Sequence, residues 1–409
     1  MKDINTLDDV SIRNKTVILR VDINLPLSRD TLEIEDDNRI RRILPTVQEL
    51  LDKRAKVVML AHQGRPGKWD FTSLEPHARA MSGLLGREVE YVDDLLDETA
   101  VEAITGMEPG TAILLRNVRT LTYETEERSM EEHGESGLVK RLAPLADLYV
   151  NDAFAAAHRS QCSLVGFPAL LPSAAGRLME AELEALEEAF EDPRRPCVFV
   201  LGGAKFSDSI EVIERSVEKG LADWIMLTGA VGNFFLLARG IDLGPRTKEM
   251  LQEEMTEENL AEAKRVLESC GNHIILPYDV AVKMNGNRAN LLVGDLPVDD
   301  PILDIGKGTI DKFAKVLRNA MTIFLSGPAG MIEEKDFSLG TSELMRAAAQ
   351  SRAFSLVGGG HTVSMVNRLR LADHFSYVST GGGALETYLK GDPLPAVEAL
   401  RAARGRKKK

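Results

Sequence analysis

The sequence predicts an α/β protein built from two doubly wound parallel-sheet (Rossmann-like) domains joined by a helix and a hinge. Three observations support this prediction. With 409 residues, the chain is too long for one ordinary domain. Short apolar runs alternate with amphipathic stretches from one end of the chain to the other. Most of these runs are continuously apolar, which is typical of strands that a parallel sheet buries on both faces.

Five of the predicted strands lie in the first half of the chain. They are TVILRVD (16–22), KVVMLAH (56–62), VEYV (89–92), TAILLRN (111–117) and LYVND (148–152). Between the first two lies an amphipathic stretch, residues 38–54, with apolar residues three and four positions apart. That spacing predicts a helix that crosses from one strand to the next.

Six further strands are predicted in the second half. They are CVFVLGG (197–203), WIMLTG (224–229), HIILP (273–277), TIFLSG (322–327), FSLVGG (354–359) and FSYVST (375–380). Residues 209–220 and 257–270 have the helical spacing of crossover helices. Between the two series of strands, the acidic residues 177–195 predict one long helix that ends at Pro193 and connects the two domains.

The composition limits the classes of partner. A net charge of −13 disfavours nucleic acid and anionic membranes, and the basic residues 404–409 are expected to be a solvated end. The three cysteines have no CxxC spacing, so neither a disulfide framework nor a zinc site is indicated. The start of the chain has no signal pattern, and no apolar run is long enough for a membrane helix. We therefore expect a cytoplasmic protein.

Arginines gather after the strands of the first half, where a parallel sheet binds its ligands. The polar residues at these strand ends and at one helix start are Arg20, Asp22, Asn24, Arg39, His62, Arg65, Arg116, Arg119, His158 and Arg159. Guanidinium groups bind phosphate and carboxylate with paired hydrogen bonds. This half of an acidic chain therefore predicts an anion site, whereas Arg41 and Arg42 are interpreted as solvated surface residues.

Glycines follow the strands of the second half instead. Five clusters do so: LGGAKFSDSI, TGAVGNFF, SGPAGMIEE, VGGGHTVSMV and STGGGALETYL. Glycine lets backbone N–H groups approach a polyphosphate, and the helix that follows points its positive end at the same place. Neither the P-loop nor GxGxxG is present, so the pattern predicts a different phosphate site in which Lys205 is the one strong cation.

Taken in order, these motifs closely resemble those of the phosphoglycerate kinase family over nearly the whole chain, and the departures suggest its archaeal branch. RVDINLP, HQGRP, LLRNVRT and NDAFAAAHRS resemble the family's RVDxNxP, HxGRP, LxENxRF and NDAFxxAHR. LGGAKFSDSI, LSGPAGMIEE, VGGGHT and STGGGALE resemble LGGAKVxDKI, WNGPxGxFE, GGGDT and STGGGAxLE. The resemblance implies reversible transfer of the ATP γ-phosphoryl group to the carboxylate of 3-phosphoglycerate, a step of glycolysis and gluconeogenesis (EC 2.7.2.3).

The resemblance also implies domains and site residues. Residues 1–172, with about 395–409 packed back on them, would bind 3-phosphoglycerate, and 173–394, linked through helix 177–192, would bind ATP or ADP with Mg²⁺. The implied 3-phosphoglycerate residues are Asp22, Asn24, Arg39, His62, Gln63, Gly64, Arg65, Arg119 and Arg159. The implied nucleotide residues are Lys205, Glu333, Gly359, Gly360, His361 and Thr362. Arg39 and Lys205 are the implied catalytic pair, no metal ligand is assigned, and a monomer is expected.

The expected chemistry requires charge cancellation rather than a base. The acceptor carboxylate is ionised at neutral pH, so the obstacle is bringing two anions together. Arg39, Lys205, Mg²⁺ and the helix that begins near Gly381 would cancel charge and align the groups. Two anion sites on separate domains require a closing hinge, which the connector helix and the last segment of the chain are expected to flank.

Three residues depart from the family motifs. Ser209 stands where many members have a second lysine, Ser326 replaces an asparagine, and His361 replaces an aspartate associated with the metal. Mg²⁺ prefers oxygen ligands, so His361 is a poor replacement. Two interpretations of His361 stay open: a solvent-facing residue with no role, or a hydrogen-bond donor to a nucleotide phosphate.

Two other functions compete with the kinase. A nicotinamide-dependent dehydrogenase is disfavoured because no strand is followed by GxGxxG with an acidic residue about 20 positions later. The alternative is a non-catalytic two-domain sensor that closes on a phosphorylated metabolite or nucleotide, which the absent lysine and aspartate would allow. Turnover distinguishes this sensor from the kinase.

Overall fold

The computed structural model describes residues 3–404, which form two compact units. Unit 1 comprises residues 3–184 and 392–404, and unit 2 comprises 185–391. The boundaries therefore fall at Glu184 and Asp392 rather than at the predicted 172 and 395. The difference at the first boundary arises because a sixth strand and the first half of the connector helix belong to unit 1. Residues 405–409, part of the basic segment expected to be a solvated end, lie outside the described residues.

Unit 1 contains one parallel sheet of six strands in the order β3-β4-β2-β1-β5-β6. The strands are β1 (Thr16–Val21), β2 (Lys56–Leu60), β3 (Val89–Val92), β4 (Ala112–Leu115), β5 (Leu148–Asp152) and β6 (Ser173–Ala175). The helices before the connector are α1 (Asn38–Asp52), α2 (Glu75–Leu85), α3 (Glu98–Gly106), α4 (Met130–Gly134), α5 (Gly137–Leu142) and α6 (Cys162–Val165). All five strands predicted in this half are present.

The apolar runs of unit 1 are buried on both sheet faces, as the sequence indicates. Alternate residues of β1, such as Val17 and Leu19, share one core cluster with Ile43 and Val47 of α1. Ile18, which faces the other way, is 1% exposed. Burial of the apolar strands leaves their polar C-terminal ends as the part of the sheet that can meet a ligand.

The connector helix α7 (Arg177–Phe190) begins in unit 1 and ends in unit 2. Its first turn is held by the carboxylate of Asp152, whose Oδ1 accepts from the backbone N–H groups of Leu178 and Met179 at 2.9 and 3.0 Å. A carboxylate suits the N-terminus of a helix, where N–H groups are unpaired. Burial nevertheless dominates and raises the pKa of Asp152 to about 6.

Asp152→Asn is expected to stabilise unit 1 at pH 7. Between an unfolded pKa of 3.8 and a folded pKa of about 6, the folded state binds the extra proton, so the charged carboxylate disfavours folding above pH 6. The shift corresponds to at most about 3 kcal/mol. Chemical denaturation should therefore show a higher free energy of unfolding for the variant at pH 7, and this gain should disappear near pH 4. A gain that persists at pH 4 would contradict this explanation.

Unit 2 contains a second parallel sheet of six strands, in the order β15-β14-β13-β7-β8-β9, and a three-stranded sheet β11-β10-β12. The strands are β7 (Cys197–Leu201), β8 (Trp224–Leu227), β9 (Ile274–Ile275), β10 (Asp279–Met284), β11 (Asn287–Leu292), β12 (Ile302–Ile305), β13 (Thr322–Ser326), β14 (Phe354–Gly358) and β15 (Tyr377–Val378). The helices are α8 (Phe206–Glu218), α9 (Gly229–Ala238), α10 (Pro245–Met250), α11 (Glu257–Cys270), α12 (Lys307–Arg318), α13 (Leu339–Ala349), α14 (Gly360–Leu369) and α15 (Gly382–Lys390).

The small antiparallel sheet is absent from the sequence prediction. Its hairpin turns at Asn285 and Gly286, which both have positive φ, 49° and 79°. Asn-Gly is a strong signal for such a two-residue turn. The prediction missed it because β11 (NRANLL) begins with polar residues and has no fully buried residue, unlike the buried apolar runs used to identify strands.

The last helix that the structure describes belongs to unit 1. Helix α16 (Pro395–Arg404) buries Val397 and Leu400, and the N–H of Ala396 donates to the carbonyl of Ala157 at 3.1 Å. Short 3₁₀ turns complete the described secondary structure at Val118–Thr120, Ala143–Leu145, Phe154–Ala156, Phe167–Ala169, Val293–Asp295, Lys335–Phe337 and Ala372–His374.

Candidate functional site

Unit 1 carries a cluster of basic groups at the C-terminal ends of its central strands. We call it the basic cluster; it consists of Arg20, Arg39, His62, Arg65, Arg119 and Arg159. These residues come from β1, from the start of α1 and from the segments that follow β2, β4 and β5. Parallel strands bring their C-terminal ends to one edge of the sheet, which explains how residues distant in sequence meet.

Arg20 is completely buried and orients His62. Its Nη2 lies 3.0 Å from Nδ1 of His62, and its Nε donates to the hydroxyl of Ser163 at 2.7 Å. Burial lowers the pKa of His62 well below its usual value, opposed by Asp22 and assisted by Arg20 and other arginines. His62 is therefore neutral at pH 7, and because Nδ1 accepts from Arg20, its Nε2 carries the proton. The anion site predicted from the strand ends includes Arg20, whereas the 3-phosphoglycerate residues implied by the family resemblance do not.

Asp22 and Arg39 form an ion pair at the edge of the basic cluster. Nη1 of Arg39 lies 2.5 Å from Oδ2 of Asp22, and Oδ1 accepts from the N–H of Asn24 at 3.1 Å. Burial alone would raise the pKa of Asp22, but Arg39, His62 and the N–H of Asn24 outweigh it and lower the pKa to about 2. The side chain of Arg39 is 39% exposed, so it keeps N–H donors for a ligand.

Gln63 and Gly64 hold loops of the cluster together. The side-chain amide of Gln63 is buried and exchanges two hydrogen bonds with the backbone of Leu25, at 2.8 and 3.0 Å. The N–H of Gly64 donates to Oδ1 of Asn24 at 2.9 Å. Gly64 has φ +65°, and a Cβ there would lie 2.3 Å from the carbonyl oxygen of Asp70, so only glycine fits. These contacts support loop positioning, and direct contact of either residue with substrate stays a prediction.

Arg119 and Arg159 lie among like charges. Arg119 is 7% exposed, its Nη1 donates to the carbonyl of Gly64, and its Nε is buried without a partner. Burial lowers the pKa of Arg119 to about 10, with repulsion from Arg159, Arg20 and Arg65 adding to the effect. Burial also lowers the pKa of Arg159. A bound anion would relieve this repulsion and satisfy the open donor.

Unit 2 contains a cavity of about 530 Å³ at the C-terminal ends of β7, β13 and β14. We call it the glycine cavity. Its lining consists of Leu201, Gly202, Gly203, Ala204, Lys205, Asp208, Ser209, Val212, Ser326, Gly327, Pro328, Gly359, Gly360, His361, Thr362, Glu386, Leu389 and Lys390. The structure thus brings the predicted residues 359–362 and Lys205 together.

Close backbone packing explains the glycines of this cavity. Gly327 has φ +84°, and a Cβ there would lie 2.1 Å from the carbonyl oxygen of Gly202, so a side chain would separate the two loops. The N–H of Gly327 donates to Oγ1 of Thr362 at 2.7 Å and ties the loop after β13 to the start of α14. The N-terminus of α14, with its unpaired N–H groups, is therefore fixed at the cavity wall.

The four remaining candidate residues of unit 2 differ in their placement. Lys205 precedes α8 and its side chain is 71% exposed. Ser209, one turn later, donates its hydroxyl to the carbonyl of Lys205 at 3.0 Å. His361 is exposed in the first turn of α14. Glu333 is exposed as well but lies outside the lining of the glycine cavity, so its predicted contact with the nucleotide is not supported by this cavity.

Residues 3–404 show neither a cluster of metal-ligating side chains nor a membrane-spanning helix. They contain no group of three or more His, Cys, Asp or Glu side chains placed to hold a metal ion. Within the same residues, every helix is too short or too polar to cross a bilayer.

Comparison with known proteins gives consistent matches. A sequence profile of the phosphoglycerate kinase family matches residues 7–392. The phosphoglycerate kinase of the archaeon Methanothermobacter thermautotrophicus is 45% identical over 399 residues, 98% of this chain and 97% of that protein. The phosphoglycerate kinase of Methanopyrus kandleri is 46% identical over 399 residues, 98% of each chain. The crystal structure of phosphoglycerate kinase from Pyrococcus horikoshii matches with a TM-score of 0.89 and 38% identity over 98% of this chain and 99% of that one.

Proposed function

The chain belongs to the phosphoglycerate kinase family, and we propose that its basic cluster binds 3-phosphoglycerate while its glycine cavity binds the nucleotide. As a member of this family, it is a phosphotransferase with a carboxyl group as acceptor. It transfers the γ-phosphoryl group of ATP reversibly to 3-phosphoglycerate, giving 1,3-bisphosphoglycerate and ADP. The family match does not support the dehydrogenase or the non-catalytic sensor.

The observation that carries the proposal for unit 1 is the buried Arg119 with an unpaired Nε among like charges. Buried groups with perturbed pKa values and an open hydrogen-bond donor cluster at functional sites, where a ligand can complete them. A phosphorylated carboxylic acid supplies two anionic groups for the arginines of the cluster. Neutral His62, oriented by Arg20, adds an uncharged donor.

For unit 2, we propose that the N-terminus of α14 and the ammonium group of Lys205 bind the nucleotide phosphates. Helix N-termini and lysine are common partners of phosphate. The transfer needs no general base, since the acceptor carboxylate is ionised at neutral pH. Catalysis by this chain then rests on Arg39, on Lys205 and on the N-terminus of α15 near Gly381, which align the anions and cancel their charge. We propose that domain closure brings the two ligands together and excludes water.

We propose that Mg²⁺ enters as part of the nucleotide substrate. Mg²⁺ in kinases is commonly held by substrate phosphates, by water and by one or two carboxylates. The described residues offer no three-ligand group, and the position next to Gly360 carries His361 rather than a carboxylate. A cation held chiefly by phosphate oxygens fits these residues, and it would neutralise phosphate charge when bound.

The test of the function is turnover. The protein is incubated with Mg·ATP and 3-phosphoglycerate, and the acyl phosphate is trapped and quantified. We expect at least about 1 s⁻¹, the lower end of ordinary kinases. Binding of both ligands without turnover would favour the sensor instead. We also propose a cytoplasmic monomer; the three free, buried cysteines support a reducing compartment, and size-exclusion chromatography tests the monomer.

His361→Ala is expected to raise the KM for ATP about threefold to tenfold, because it removes one hydrogen bond to a charged phosphate. The KM for 3-phosphoglycerate should not change. His361→Asp should make the activity depend more steeply on Mg²⁺, since a carboxylate oxygen is a better ligand than imidazole. Steady-state kinetics at varied Mg²⁺ measures both effects. If His361→Ala leaves the KM for ATP and kcat unchanged, the residue has no role.

A further inference from the structure

A second lysine lies in the glycine cavity, contributed by a part of the chain far from Lys205 in sequence. Lys390 is the last residue of α15, and its side chain is 24% exposed. Its Nζ lies 2.8 Å from Oδ1 of Asp208 and 3.1 Å from a carboxylate oxygen of Glu211, both on α8. Asp208 is thereby shared by two lysines, since its Oδ2 lies 3.4 Å from Nζ of Lys205.

We propose that Lys390 is a positioning residue for the nucleotide phosphates: it neutralises Asp208 and so leaves the ammonium group of Lys205 free for the ligand. This inference rests on the proposed nucleotide site. The distances support it, because Nζ of Lys390 lies 2.8 Å from Asp208, whereas Nζ of Lys205 lies farther away, at 3.4 Å. The exposures support it as well, because Lys205 is open to ligand and Lys390 is largely covered.

The charges of the cavity wall explain why this neutralisation matters. Asp208 and Glu386 both line the cavity, so the wall presents carboxylates where polyphosphate would bind. Burial tends to raise the pKa of Asp208, but Lys390 and then Lys205 outweigh it and lower the pKa, which keeps Asp208 ionised. Without Lys390, an ionised Asp208 would repel phosphate and draw Lys205 toward itself.

The packing of α15 against α8 fixes Lys390 in this position. Arg215 of α8 donates through Nη1 to the carbonyl groups of Tyr388 and Leu389, at 2.5 and 2.9 Å, at the end of α15. Gly391 follows with φ +90°, and a Cβ there would lie 2.9 Å from the guanidinium of Arg215. The backbone on either side of Lys390 is thus anchored to the helix that carries Asp208.

A double-mutant cycle tests the proposal with the affinity for ADP in the presence of Mg²⁺, measured by calorimetry. Lys390→Met should weaken ADP binding about tenfold, because it leaves a carboxylate uncompensated beside the phosphates. In an Asp208→Asn background, the same replacement should weaken binding less than about twofold, because the charge to be neutralised is gone. The KM for 3-phosphoglycerate should not change in either case.

Controls separate this role from a structural one. Lys248 also forms a carboxylate pair in unit 2, 2.7 Å from Asp242 and outside the glycine cavity, so Lys248→Met should leave ADP affinity unchanged. Lys390→Arg retains the charge and should restore most of the affinity. In the double variant only the carboxylate of Glu211, which is 57% exposed to solvent, loses its lysine, so the double variant provides the comparison with Asp208→Asn if Lys390→Met alone is unstable.

Three outcomes would overturn the inference. They are unchanged ADP affinity in Lys390→Met, an equal loss in the Asp208→Asn background, and failure of Lys390→Arg to restore binding. Lys205→Met, measured in parallel, distinguishes failure of the inference about Lys390 from failure of the proposed nucleotide site. If Lys205→Met weakens ADP binding and Lys390→Met does not, only the role of Lys390 is wrong. If neither variant weakens it, the glycine cavity is not the nucleotide site.

Discussion

Replacement of Lys205 by methionine is expected to lower kcat about 10²- to 10³-fold, the usual cost of removing one preorganised electrostatic partner of a transition state. Lys205 stands at the entrance to α8 on the glycine cavity, with its ammonium group exposed. Ser209, one turn along, is uncharged and supplies no second cation; its hydroxyl donates to the carbonyl of Lys205. Charge that develops on the transferred phosphoryl group would therefore lose its main lysine partner.

The kinetics of Lys205→Met should distinguish transition-state stabilisation from simple binding. We expect kcat to fall more than the KM for ATP rises, because the α14 N-terminus still binds the phosphates. Lys219→Met, at the other end of α8 and outside the cavity, is the matched control and should be indistinguishable from the unmodified protein. A rise in the KM for ATP with an unchanged kcat would show that Lys205 binds the nucleotide without acting in the transfer.

The continuous apolar runs were enough to predict both large sheets. All eleven predicted strands exist, and the connector helix begins at Arg177 as expected. The physical reason is that a strand buried on both faces needs apolar residues at nearly every position, and few other structures do. The small antiparallel sheet escaped because its outer strand, β11, is exposed on one face and pairs locally through an Asn-Gly turn.

The candidate site was predictable where motifs follow strands and not where tertiary packing supplies a residue. Residues 359–362 and Lys205 meet in one cavity because all of them follow parallel strands. Lys390 follows no strand, and only the packing of α15 on α8 brings it to Asp208. Gln63 illustrates the opposite case, in which a motif residue near a site is buried by loop contacts that a sequence pattern cannot reveal.

Replacement of Arg39 by alanine is expected to lower kcat about 10²- to 10³-fold, the range for loss of one oriented charged donor in a transition state. Arg39 is the arginine of the basic cluster that is both fixed by an ion pair and open to ligand, with Asp22 at 2.5 Å. The acceptor carboxylate and the incoming phosphoryl group repel each other, and a guanidinium can donate to both. Its removal also leaves Asp22 without its main cation, so the pKa of Asp22 should rise from about 2.

Two further variants show whether the loss in Arg39→Ala comes from substrate contact. Arg39→Lys can still pair with Asp22 but lacks the planar fork of donors, so its kcat should stay at least about tenfold low. Arg41, two residues along the same helix and paired with Asp37 at 2.7 Å, is the control, and Arg41→Ala should retain full activity. Full activity in Arg39→Lys would mean that only the charge beside Asp22 matters. Full activity in Arg39→Ala would remove this residue from the mechanism, because the loss of a charge that acts at the site of transfer must lower the rate.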